Sequence, residues 1–148
     1  MTMLLQRPTE TLYFHRAHHF TFPRILCVDD DPDFQVAIEL CMKKYLVEIQ
    51  PAYYGVQGIV EASRSMPDLI LMDLAMPHGN GEYLLDVIKR NEQTADIPVI
   101  VLTGMRDNQM KRRLMRIGAA QYLTKPLRLD DLVHEISRFV DLQERESR

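Results

Sequence analysis

Four short runs in this chain each stop at a polar residue, and that repetition restricts the fold more than any other feature. Ile25-Leu26-Cys27-Val28 stops at Asp29 and Asp30, Leu69-Ile70-Leu71-Met72 at Asp73, Val99-Ile100-Val101-Leu102 at Thr103, and Tyr122-Leu123-Thr124 at Lys125. Near-continuous apolar runs of this length read as strands buried on both faces, the habit of parallel sheets. Helical patterns separate them, and strand–helix alternation is the signature of a parallel sheet with crossover helices. Open sheets of that kind collect their chemistry at the carboxyl ends of the strands. Three acids, a hydroxyl and an ammonium would then share one edge, a set suited to a divalent cation and a phosphoryl group.

The helical segments carry their own punctuation. Asp31 can cap a first helix with Pro32 at its first position, and Phe34, Ile38, Cys41 and Met42 supply an inward stripe. Val47 to Gln50 alternates and reads as a second strand, placed at the sheet edge because Pro51 interrupts it. Gly55 to Ser65 predicts a second helix with Ile59, Val60 and Ala62 inward, stopped by Met66-Pro67. Glu82 to Asn91 predicts a third, with Tyr83, Leu84, Val87 and Ile88 on its core face. Asn108 to Ile117 is a fourth, ended by Gly118, and Leu129 to Leu142 a fifth.

In order and spacing, the set Val28-Asp29-Asp30, Met72-Asp73 with Met76-Pro77, Thr103-Gly104 and Lys125-Pro126 resembles the receiver domain of two-component response regulators. The resemblance implies a flavodoxin-like, doubly wound α/β fold: five parallel strands in the order 2-1-3-4-5 with five helices. It covers residues 24–142, leaving 1–23 as an N-terminal extension and 143–148 as a charged tail. By resemblance, Asp73 is the phosphoacceptor and Mg²⁺ the cofactor. Asp30 and Asp73 would ligate the ion directly, Ala75 would offer its backbone carbonyl, and Asp29 would hold a coordinated water. Lys125, set by a cis bond to Pro126, would meet a phosphoryl oxygen, and before phosphorylation Asp73 itself. Thr103 would donate its hydroxyl to another phosphoryl oxygen. Tyr122, at the spacing of the switch aromatic, would then rotate inward and remodel the face of the fourth helix, fifth strand and fifth helix.

The implied partners are a sensor histidine kinase or histidine phosphotransfer protein, and a downstream protein target on that face; a homodimer is allowed. A chain of 148 residues fits one domain with a proper core, and no output domain is expected beside it. A net charge of −3 gives no reason to expect nucleic-acid binding across the surface. No apolar segment is long enough for a membrane span, and no signal-peptide core precedes the domain, so a cytoplasmic location is expected. Cys27 and Cys41 read as small core residues rather than as a disulfide or metal pair. Leu12, Tyr13, Phe14, Phe20 and Phe22, among His15, His18 and His19, give the extension an arm-like composition. His78 reads as a solvated loop residue, and Lys111-Arg112-Arg113 with Arg116 gives the fourth helix a basic side.

Two rival functions start from the same residues. A phosphatase of the haloacid dehalogenase type also uses a strand-end Asp, but it needs a second acid two residues later, where this chain has Ala75. A degenerate receiver would act as a phosphorylation-independent binding module. Such domains lose an acid, the lysine or the hydroxyl, and here all are present.

Overall fold

A computed structural model of the chain describes residues 22–76 and 81–147. Five strands, β1 (Arg24–Val28), β2 (Glu48–Ala52), β3 (Leu69–Asp73), β4 (Val99–Thr103) and β5 (Gln121–Thr124), form one sheet in the order β2-β1-β3-β4-β5. Every neighbouring pair is parallel. Five helices alternate with them: α1 (Pro32–Met42), α2 (Gly55–Ser65), α3 (Gly81–Arg90), α4 (Asn108–Ile117) and α5 (Leu129–Ser137). This is the doubly wound architecture that the alternation predicted.

Side chains alternate across each strand and so fill two separate cores. Ile25 and Cys27 of β1 join Ile38, Met42, Leu132 and Ile136 beneath α1 and α5. Leu26 and Val28 join Ala62, Leu84, Leu85, Ile88 and Leu114 beneath α2, α3 and α4. All five residues of β3 and of β4 are buried. With both faces apolar, alternation alone cannot hold the register. The polar strand ends do, because a one-residue slip would drag Asp29 or Asp73 into an apolar layer at a cost of several kcal/mol, on the order of a desolvated charge.

Local signals account for most boundaries. Asp31 caps α1 by accepting the Asp33 N–H at 2.9 Å, with Pro32 at the first helical position. Asp107 caps α4 through the Gln109 and Met110 N–H groups. Gly118 ends α4 at φ +128°, a conformation side-chain-bearing residues avoid. Met66 closes α2 in the left-handed region at φ 48°.

Four expectations change. β2 runs through Pro51 to Ala52 rather than breaking there. The Glu48 N–H points at Pro23 on the β1 side, so by alternation residue 51 faces the open edge, where a missing N–H costs nothing. Val60 is 53% exposed and Tyr83 63%, because each stands about 100° around its helix from the true inward residues, Ile59 and Leu84. α5 stops at Ser137, and Phe139, Val140 and Leu142 reach the core from the turn beyond it. Residues 143–145 also do not trail off. The Leu46 N–H donates to Gln143 O, the Arg145 N–H to Lys44 O, and the Arg145 side chain to the Lys43 and Tyr45 carbonyls. The arm residues 1–21, and Pro77 and His78, lie outside the described residues.

Candidate functional site

The C-terminal edge of the sheet brings together side chains that four strands carry from distant parts of the chain. Asp29 follows β1 and is 1% exposed. Its Oδ1 accepts the Asp31 N–H at 2.9 Å and its Oδ2 accepts Lys125 Nζ at 2.8 Å, across 96 residues of sequence. Asp73 ends β3 at 8% exposure. Its Oδ1 accepts the Ala75 N–H at 3.1 Å, and its Oδ2 lies 3.9 Å from Lys125 Nζ. Asp30 faces solvent, and the three carboxylates each place an oxygen within 4.8 Å of the others. The expected Lys125–Asp73 pairing is therefore the looser of two, since the ammonium sits between both acids and nearer Asp29. It also lies 4.2 Å from the centre of the Phe34 ring, whose negative face favours a cation. The Lys125–Pro126 bond is cis.

One ammonium against three carboxylates leaves the cluster negative. Burial pushes the Asp73 carboxyl above its ordinary range, and Asp29 and Asp30 add to that; the Ala75 N–H and Lys125 pull the other way. The group with the least comfortable charge is thus the one at the strand end. A divalent cation would relieve all three acids, and a set of hard carboxylate oxygens fits Mg²⁺ rather than a soft metal.

On the other side of Asp73, Thr103 ends β4 with no exposure, and its Oγ1 accepts the Met105 N–H at 3.1 Å. Tyr122 already lies inward, at 7% exposure, and donates its hydroxyl to Met105 O at 2.8 Å, so the inward rotation expected to follow phosphorylation is not needed to reach this position. Thr103 and Tyr122 therefore hold the two polar groups of one residue's backbone. The Lys125 N–H donates to Thr103 O at 2.7 Å, tying β5's end to β4's.

Gln35 escaped the sequence reading. It is 4% exposed on α1, and the two N–H groups of its Nε2 are shared among Cys27 O, Asp29 O and Ala52 O at 2.9, 3.0 and 3.1 Å. It thereby pins the turn carrying Asp29 and Asp30 to the ends of β1 and β2. Its spacing to Ile38 and Met42, three and seven positions on, was the available signal. Gly81 was missed too. A Cβ there would stand 2.7–2.8 Å from Leu74 side-chain and backbone atoms, so only glycine lets α3 begin against the segment leaving Asp73.

Comparison with known proteins gives a consistent set of likenesses. The profile of the response regulator receiver domain matches residues 25–137. The DNA-binding dual master transcriptional regulator RpaA of Synechocystis is 35% identical over 114 residues, 77% of this chain and 47% of that protein. Protein PilH of Pseudomonas aeruginosa is 33% identical over 114 residues, 77% of this chain and 94% of PilH. This chain thus spans about half of the first relative and nearly all of the second. Among solved structures, the receiver domain of a Pseudomonas aeruginosa sensor histidine kinase, with a magnesium ion in its active-site cleft, superposes with a TM-score of 0.71. It is 27% identical, covering 80% of this chain and 97% of that one.

Proposed function

Because the chain belongs to the response regulator receiver domain family, the signalling domain of two-component systems, we propose that it takes a phosphoryl group onto Asp73 in a Mg²⁺-dependent reaction. The donor is a sensor histidine kinase or a histidine phosphotransfer protein. An Asp73 oxygen forms the new bond to phosphorus as the donor's phosphorus–nitrogen bond breaks, and the leaving imidazole takes up the electron pair. Asp30, Asp73 and the Ala75 carbonyl would hold Mg²⁺, with Asp29 on a coordinated water, and the ion would supply positive charge between the two anions. Lys125 needs only to slide from Asp29 toward the incoming phosphoryl oxygens. Thr103, by turning its hydroxyl to the same group, would release the Met105 N–H, and with it the seat of the Tyr122 hydroxyl. That change on the α4–β5–α5 side is the output a protein target would read. The degenerate-receiver alternative has no observation in its favour.

The observation that carries this reading is the convergence itself: Asp29, Asp30, Asp73 and Lys125 within contact or near contact, from three separate chain segments. Incubation with a small phosphodonor and Mg²⁺ should add one phosphoryl group by mass, and Asp73→Asn should abolish it. Stoichiometric labelling of Asp73→Asn would overturn the assignment.

A further inference from the structure

α4 is the most one-sided element of the fold. It carries Lys111, Arg112, Arg113 and Arg116, no acid, and Leu114 as its one buried residue. Arg113 pairs with Glu82 at 2.8 Å. Among the described residues, no acid forms an ion pair with Lys111, Arg112, Arg116 or the neighbouring Arg106. Arg112 and Arg116 are like charges one turn apart, which opposes the helix by about 0.2–0.5 kcal/mol. Lys111 stands in the first turn, where the helix dipole favours anions instead. Arg116, in the last turn, does suit the helix dipole, but Lys111 and Arg112 bring the fold no such gain, which points to a use outside it.

They line a concave surface. A groove of about 390 Å³ is bordered by Arg106, Lys111, Tyr122 and Thr124, with Asn108 and with Asp107, whose carboxylate is engaged in capping α4. A second, of about 520 Å³, shares Lys111 and adds Arg112, Arg116 and Met115, whose side chain is 40% exposed. We propose that this double groove binds an acidic protein segment, its carboxylates on Lys111, Arg112 and Arg116 and one apolar side chain against Met115. Charge complementarity selects the occupant: a compact cationic strip on a chain of net charge −3. The strip is confined to one helix, and no exposed aromatic ring borders it for base stacking, which disfavours nucleic acid. Its concavity disfavours a membrane surface. Regulation of the groove rests on the phosphoacceptor reading, because Tyr122 forms part of its wall.

The test is fluorescence anisotropy with a labelled glutamate-rich peptide bearing a central leucine, on the full chain before and after treatment with phosphodonor and Mg²⁺. A glutamine counterpart, a single-stranded oligonucleotide and phosphatidylserine vesicles are run beside it. The glutamate peptide should bind, weaken with salt, and change affinity on phosphorylation. Lys111→Glu/Arg112→Glu should lose about tenfold or more in affinity while labelling Asp73 like the parent. Lys111→Gln/Arg112→Gln, a milder change for the fold, should lose part of it. Absence of peptide binding, indifference to both double variants, or tighter binding of oligonucleotide or vesicles overturns the proposal. Normal labelling without peptide binding sinks the surface alone; peptide binding without labelling sinks the phosphoacceptor reading alone.

Discussion

Asp73 is held where its charge is unwelcome, and that has a measurable cost. Its carboxyl is shifted upward, chiefly by burial, so between the unfolded and folded values the native state binds more protons than the unfolded chain. Stability from this group is therefore greatest below the unfolded value, about 3.9, and is lost as pH rises through the folded one. Asp73→Asn should accordingly unfold at higher urea than the parent at about pH 7, and the gain should shrink toward about pH 3. Gln35 works in the opposite direction. Gln35→Leu keeps the volume but takes a donor from the Cys27 and Asp29 carbonyls, while Ala52 O keeps the Asp29 N–H, and should cost about 2 kcal/mol in urea unfolding and loosen Mg²⁺ binding at the adjoining acids. The positions of the acids, Thr103 and Lys125 at one sheet edge were readable in the sequence because each stands within two residues of the end of an apolar run. Gln35 was not, because what makes it matter is three carbonyls that only the folded β1 and β2 bring to it.

At the scale of elements, the closest fit is where α3 starts. Gly81→Ala would push a methyl into Leu74, and overpacking of this kind costs about 2 kcal/mol. The expected outcome is a lower urea midpoint together with slower labelling of Asp73, since Leu74 is its neighbour; an unchanged midpoint would show that α3 shifts freely. Strand identities and the caps of α1 and α4 were legible because they depend on neighbours in sequence. The facing of Val60 and Tyr83 was not. Two apolar residues side by side on a helix leave open which one the sheet will take. Pro51 misled for a related reason: whether a proline breaks a strand depends on which side its nitrogen faces.

For the whole molecule, the parallel sheet with its crossover helices followed from alternation and the strand order from the family resemblance, whereas the closure of the chain on itself was legible in neither. Residues 143–145 pair with the turn between α1 and β2 through exposed groups that carry no apolar pattern. Removing the chain after Leu142 should cost about 1–2 kcal/mol and speed hydrogen exchange at the Leu46 amide, with phosphorylation of Asp73 unaffected. Exchange as slow as in the parent would show that the strap bears no load.

The backbone of Met105, held at its N–H by Thr103 and at its carbonyl by Tyr122, bears on how such a protein can change over generations. A contact made through a peptide group is written in chemistry that nineteen of the twenty amino acids share. Almost any mutation at codon 105 leaves it standing, and only proline deletes the donor. The side chain there, 41% exposed, is thus free to drift, and lineages can explore it while the connection beneath it is inherited unaltered.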